Sequence, residues 1–343
     1  MFVLREVVIE TTKQCNLNCL HCGSDCGHCP VKNELSIADW KSILIQLAKL
    51  NVKKIVFSGG EPTLKPGFID LIIFAHSLGL KFGFISNGFL IFDESLQQAI
   101  IKSQPFAIGL SIDGLKTTHN KIRQNNNSWS NLIKNISLLQ KLKMEICIIT
   151  TLNQLNYLEL PQLARFLNLA EIDSWQLQLA LPVGRMKQQA DWLLTEAQFK
   201  EICQIIMELR QLYPKLNIQT ADCFGLAPAD SIRSEVWGGC TAGLSSLAID
   251  CQGKIIPCLS WQDTLIYEDT NNKRIAEIWN NSSIFDFNRH FKAETVVGKC
   301  VSCQFLNNCR GGCNSQSLAY YNYLHSSPFC FYKTYLGEKN ECY

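Results

Sequence analysis

At roughly 150 residues per domain, 343 residues allow about two domains. Apolar residues make up 47% and charged residues 18%, with a net charge of +2. This composition excludes a disordered, solvating chain and gives no basis for a nucleic-acid partner. No apolar run approaches the ~18–20 residues of a membrane span. The N-terminus, with Arg5 and Glu6, reads as a strand rather than a signal peptide.

In chain order, short β-branched or aromatic runs alternate with amphipathic stretches. Strands are expected at 4–11, 53–57, 80–86, 106–111, 145–150 and 174–179, and helices at 37–50, 67–78, 93–102, 130–142, 158–169 and 195–212. Ser36 and Asp93 are good helix caps. Six strand–helix units predict an α/β fold with a parallel sheet, an open or closed barrel with its chemistry at the C-terminal strand ends. The pattern stops near Tyr213 and Pro214. Residues 1–215 are expected to form one domain and 216–236 a linker. Residues 237–343 are expected to form a turn-rich second domain, too thin in core to stand without staples or metal.

There are 17 cysteines. With no secretory signal, closely spaced cysteines point to a reducing cytoplasm and to metal or redox chemistry. Strand one runs into Cys15-x3-Cys19-x2-Cys22. Three thiolates can hold three corners of a cubane cluster and leave one iron open. The alternative is a zinc site that borrows His21 or Cys26. Ser58-Gly59-Gly60-Glu61-Pro62 follows strand two, and Ser86-Asn87-Gly88 closes strand three. Ser111-Ile112-Asp113-Gly114 closes strand four, with His119 and Arg123 downstream, and Thr150-Thr151 closes strand five. Pro182-Val183-Gly184-Arg185 follows strand six.

This order of motifs resembles the radical S-adenosylmethionine (SAM) enzymes over residues 4–212. The resemblance implies a partial (β/α)6 TIM-like barrel, with a [4Fe–4S] cluster on Cys15, Cys19 and Cys22. It implies SAM contacts from His21, Gly59, Gly60, Glu61, Pro62, Ser86, Ser111, Asp113, Arg123 and Thr150, with Glu61 facing the SAM amino group. SAM would cleave to a 5′-deoxyadenosyl radical that takes a hydrogen atom from the substrate. A flavodoxin- or ferredoxin-type reductant would supply the electron.

The later cysteines read Cys240-x10-Cys251-x6-Cys258, then Cys300-x2-Cys303-x5-Cys309-x3-Cys313, then Cys330. Seven of them resemble the SPASM domain, although a pair of zinc ribbons would also use such spacings. The resemblance implies two auxiliary [4Fe–4S] clusters, three clusters in all. One would be closed by Cys300, Cys303, Cys309 and Cys330. The other would be held by Cys240, Cys258 and Cys313 with an open iron, because Ser246 stands where some relatives have a cysteine, unless Cys251 fills it. Cys147 and Cys203 read as core residues. Cys26 and Cys29 read as a loop facing the substrate cavity. His119, Tyr157, Trp175 and Trp261 could line that cavity or merely pack, and none is given a catalytic role.

SPASM enzymes mostly modify peptides. Leu259 stands where sulfatase maturases carry a catalytic aspartate, which disfavours that branch. The expected function is therefore maturation of a ribosomally made precursor peptide by crosslinking, epimerisation or backbone excision. Only fourteen residues precede Cys15, so leader binding is expected from a separate small partner. That arrangement resembles the spliceases, which excise tyramine. The alternatives are a non-catalytic iron–sulfur protein that binds peptides or carries electrons, a zinc-stabilised interaction module, and a SPASM enzyme acting on a small molecule.

Overall fold

The computed structural model describes residues 2–226, 238–261, 267–270, 274–281 and 283–336. Seven strands run in chain order across one sheet: β1 (Glu6–Glu10), β2 (Lys54–Ser58), β3 (Phe82–Ser86), β4 (Ile108–Ser111), β5 (Ile146–Leu152), β6 (Ser174–Leu179) and β7 (Asn217–Thr220). All neighbouring pairs among them are parallel. Between them lie α1 (Ile37–Lys49), α2 (Phe68–Ser77), α3 (Glu94–Ser103), α4 (Lys116–Arg123), α5 (Ser128–Lys141), α6 (Leu160–Leu169) and α7 (Glu196–Leu212).

Local sequence explains the helix starts. In α1, the Ser36 side chain accepts the Asp39 N–H while Asp39 reaches back to the Ser36 N–H, a reciprocal capping box. Trp40, Ile43, Leu44 and Leu47 recur at helical spacing and are buried against the sheet. Thr195 and Gln198 build the same box for α7, which buries Phe199, Ile202, Cys203, Ile206 and Leu209. The Asp93 side chain accepts the Leu96 N–H at the start of α3.

Three features depart from the sequence expectation. Helix α4 was not anticipated, because its buried face is His119, Ile122 and Arg123 rather than an apolar stripe. The expected linker begins with β7, whose four residues are too few for a readable alternation, although Ile218 and Thr220 are buried; residues 227–236 of that linker lie outside the described residues. The cysteine-rich part does not stand apart. Its β8 (Ser246–Ile249) pairs in parallel with β1, and β9 (Lys254–Ile256) and β10 (Glu268–Asp269) extend that edge antiparallel.

The sheet order is therefore β10-β9-β8-β1-β2-β3-β4-β5-β6-β7, an open α/β sheet rather than a closed barrel. Helices α8 (Ile275–Asn281), α9 (Asp286–Arg289), α10 (Leu306–Cys309) and α11 (Asn314–Tyr321) complete the C-terminal part. Ile275, Ile278, Trp279, Phe285, Phe329 and Phe331 join the same apolar core as the parallel strands. Trp279 Nε1 donates to the Phe2 carbonyl at 2.9 Å. No described helix is long and apolar enough to cross a membrane.

Candidate functional site

The loop after β1 gathers its cysteines. Cys15, Cys19 and Cys26 are buried in one small cluster with Leu17, and Cys22 and Phe89 pack on it. Donors face these sulfurs: Asn87 Nδ2 is 3.5 Å from Cys15 Sγ, and Arg123 Nη1 is 3.7 Å from Cys19 Sγ. Burial pushes the Cys19 thiol up to about 11, with Cys22 and Cys15 adding to the rise and Arg123 opposing it. Burial likewise raises Cys15. A hydrogen bond from Cys26 draws Cys22 down to about 5 and leaves Cys26 raised.

Cys26 thus sits with the first cysteine group, buried, instead of facing the cavity, while Cys29 is exposed. Arg185, after β6, clamps this loop. Its Nε donates to the Cys19 carbonyl at 2.9 Å and its Nη1 to the Cys26 carbonyl at 2.6 Å. Sequence reading gave Arg185 no such role; the short Val183-Gly184-Arg185 motif was its only trace.

The Gly59-Gly60-Glu61 turn lies directly on the β1 loop. A Cβ on Gly60 would stand 2.2 Å from the Gln14 carbonyl oxygen, so only glycine allows this approach. The Gly60 and Glu61 N–H groups donate to Thr12 and Gln14 at 2.8 Å each. Glu61 itself is buried with its oxygens occupied. Oε1 accepts from the Thr63 N–H and hydroxyl at 3.3 and 2.7 Å, and Oε2 from the Ser86 hydroxyl and the Asn87 N–H at 3.1 and 2.8 Å. A carboxylate has about four acceptor positions. Glu61 therefore braces the ends of β2 and β3, and it can meet an ammonium through its charge but not through a spare lone pair. Burial raises its carboxyl against these hydrogen bonds.

Asp113 is a second hub, fully buried after β4. Its Oδ2 accepts from Arg123 Nε at 2.6 Å and Nη2 at 2.5 Å, with His21 Nε2 at 3.0 Å, while Oδ1 accepts the Thr151 N–H at 3.0 Å. Burial alone would raise its carboxyl, but Arg123 and His21 hold it well below the usual carboxylate range. Asp113 therefore sets the positions of Arg123 and His21 and has no face open to a ligand. His21 Nδ1 is buried without a hydrogen-bond partner, an orphan that a ligand's polar atom would satisfy.

Several other expected residues prove internal. The Thr150 hydroxyl donates to the Ile112 carbonyl at 2.6 Å and accepts Trp175 Nε1 at 2.8 Å. His119 accepts the Asp113 N–H at 3.2 Å and meets the Ser128 hydroxyl at 2.9 Å. Trp175 and His119 are fully buried, and Trp261 is tied to the Ser315 hydroxyl at 2.9 Å. Tyr157 is buried within the core, whereas Ser111, at the end of β4, is half-buried.

The C-terminal cysteines fall into two places. Cys300, Cys303, Cys309 and Cys330 line one narrow pocket, together with Phe305, Leu306 and Phe329. Cys240, Cys258 and Cys313 line a different, solvent-open cavity of about 540 Å³. That cavity is also lined by His21 and Gly23 from the first cysteine loop, by Gln176 and Gln178 of β6, Gln219 of β7 and Ala248 of β8. Strands remote in sheet order share it, so the sheet curls around it. Burial raises Cys240 to about 11 and Cys309 to about 12, and holds Cys313 well above the usual thiol range. All described cysteines are free thiols. Among the described residues, no three His, Cys, Asp or Glu side chains converge on a single metal-ion position.

A family model described as the radical SAM superfamily matches residues 9–167, and one described as an iron–sulfur cluster-binding (SPASM) domain matches residues 240–304. The chain is a radical SAM enzyme with a SPASM domain. Among its relatives, this radical SAM chain is 26% identical to an AdoMet-dependent heme synthase of Oleidesulfovibrio alaskensis, over 96% of this chain and 87% of that protein. It is 26% identical to a PqqA peptide cyclase of Bradyrhizobium diazoefficiens, over 91% and 82%. Its fold matches Streptococcus suis SuiB bound to its precursor peptide SuiA, with a TM-score of 0.77, 21% identity, and coverage of 95% of this chain and 75% of that one.

Iron–sulfur clusters and SAM are the cofactors of this radical SAM enzyme, and its residues suit them. Grouped thiols faced by Arg123 and Asn87 are a donor set for an anionic iron–thiolate cluster. On binding a cluster these thiols would give up their protons and act as thiolates. When bound, the cluster and SAM supply one-electron radical chemistry. The chain's own residues hold the loop (Arg185), orient Arg123 and His21 (Asp113), and fix the glycine turn against the cysteines (Glu61).

Proposed function

We propose that this enzyme is a peptide maturase that abstracts a hydrogen atom from a ribosomally made precursor. The carrying observation is one open cavity of about 540 Å³ whose lining includes His21 and Gly23 together with Cys240, Cys258 and Cys313. A peptide segment threaded there would lie between the SAM side and an auxiliary cluster that can accept an electron. In this reading Cys15, Cys19 and Cys22 hold the SAM cluster. Cys300, Cys303, Cys309 and Cys330 hold one auxiliary cluster, and Cys240, Cys258 and Cys313 hold the other, three clusters in all. Residues 1–215 form the SAM core and 237–343 the SPASM part. The similarity to a peptide cyclase supports a peptide substrate. The change is a crosslink, an epimerisation or a backbone excision such as tyramine splicing, with a small leader-binding partner and a flavodoxin- or ferredoxin-type reductant.

The test is anaerobic co-expression with the short peptide and any small protein encoded beside the gene, followed by mass spectrometry of the peptide. Loss of two hydrogens marks a crosslink, and loss of a tyrosine-derived fragment marks excision. An unchanged mass with SAM cleaved and no deuterium incorporated from heavy water sinks the peptide reading. The similarity to heme synthases supports a second reading, a tetrapyrrole substrate. It predicts that an iron porphyrin carrying propionates, and no peptide, stimulates SAM cleavage.

A further inference from the structure

We propose that Cys223 is the fourth protein thiolate of the cluster held by Cys240, Cys258 and Cys313, closing the iron that the sequence leaves open. The proposal rests on the two-auxiliary-cluster reading above. Cys223 lines the same cavity as those three cysteines and is itself buried. Cys313 lies within electrostatic reach of both Cys240 and Cys223.

The fold delivers Cys223 there. Strand β7 extends the sheet beyond β6 and ends in a tight 3-10 turn, Asp222–Phe224. The Ala221 N–H donates to the Leu177 carbonyl at 2.8 Å, and Phe224 packs on Phe199 with ring centroids 5.6 Å apart. The turn is thus fixed from both sides. The Leu179 N–H donates to Cys223 Sγ at 3.2 Å, the kind of bond that stabilises an iron-bound sulfur. The thiol would give up its proton on binding iron.

Two other residues were candidates for this position. Ser246 lines the cavity, but its hydroxyl is engaged with Thr241 at 2.9 Å. Cys251 follows β8, lies near Glu10, Glu34 and Lys13, and does not line the cavity. Its carbonyl accepts the Leu35 N–H at 2.8 Å, tying that turn to the chain just before α1.

The test uses the full chain, purified anaerobically, with Cys15, Cys19 and Cys22 changed to alanine so that only the C-terminal group binds iron. The probe is ¹³C-cyanide, which binds an iron with an open position and is read by electron–nuclear double resonance. Expected are about eight irons per chain and no cyanide coupling. Adding Cys223→Ala should create the coupling on one cluster, while Cys147→Ala should not, since Cys147, expected in the core, is only half-buried on β5 and does not line that cavity. Cyanide coupling with Cys223 intact overturns the proposal, and that arm needs no further variant to fold. An unchanged spectrum in Cys223→Ala, or an iron opened by Asp222→Asn instead, also overturns it. Only about four irons in the parent would refute the two-cluster reading itself, a result distinct from failure of Cys223 alone.

Discussion

Asp113→Asn is the sharpest probe of the site. Asparagine keeps the shape and one acceptor, so packing is conserved and the perturbation is electrostatic. It removes the charge on which Arg123 Nε and Nη2 converge at 2.6 and 2.5 Å, with His21 at 3.0 Å. Asp113 is fully buried and Arg123 nearly so, so the guanidinium is left charged with little water to solvate it. Breaking a buried pair in this way costs about 3–5 kcal/mol. Urea unfolding of the anaerobic holoenzyme, followed by tryptophan fluorescence, reads the loss. SAM binding by calorimetry should weaken in parallel, because Arg123 and His21 lose their anchor. Arg123→Met added to Asp113→Asn should recover part of the stability, since the unpaired charge goes with it. A loss below about 1 kcal/mol would show the pair to be solvated and would refute the hub argument.

His119 is buried neutral, lowered to about 3 by burial and by Arg123. A base with a depressed value contributes stability above its unfolded value, about 6.5, and loses it as pH falls toward the folded one. Between pH 7 and 5.5 the wild type should lose about 1 kcal/mol more than His119→Asn, by unfolding titrations at the two values. Gly60→Ala places a methyl group against the Gln14 carbonyl. It should cost at least about 1–3 kcal/mol and lower iron at the first site, read by iron content in a Cys300→Ala/Cys240→Ala background. Cys309→Ala should remove about four irons per chain, whereas Cys203→Ala, buried among α7 residues, should remove none. Chelating the iron should lower the melting temperature, and protease should then cut first within 286–336, where short helices surround cysteines.

Much of the core was legible because parallel, doubly covered strands are written as apolar runs and helices as capped stripes. Residues 53–57 and 37–50 map onto β2 and α1 within a residue. Helix α4 was not legible, because its inward face carries the polar His119 and Arg123, held by Ser128 and Asp113 just outside the helix, in place of an apolar stripe. The site motifs were legible as motifs, but their division of labour was not. Glu61, Asp113 and Thr150 read as ligand contacts, yet their polar atoms are taken by Ser86, Arg123 and Trp175.

The sequence by itself determined the order of strand and helix, the three-cysteine loop and the partition of the later cysteines into spaced groups, because these depend on local periodicity and spacing. Tertiary structure alone decided that β8 closes onto β1 and that β7 joins the sheet. It also decided that Cys223 lines the cavity that Cys240, Cys258 and Cys313 line, while Cys251 does not. Such pairings join residues tens to hundreds of positions apart. They are fixed by how the sheet curls and buries its faces, a property that no local window of residues contains.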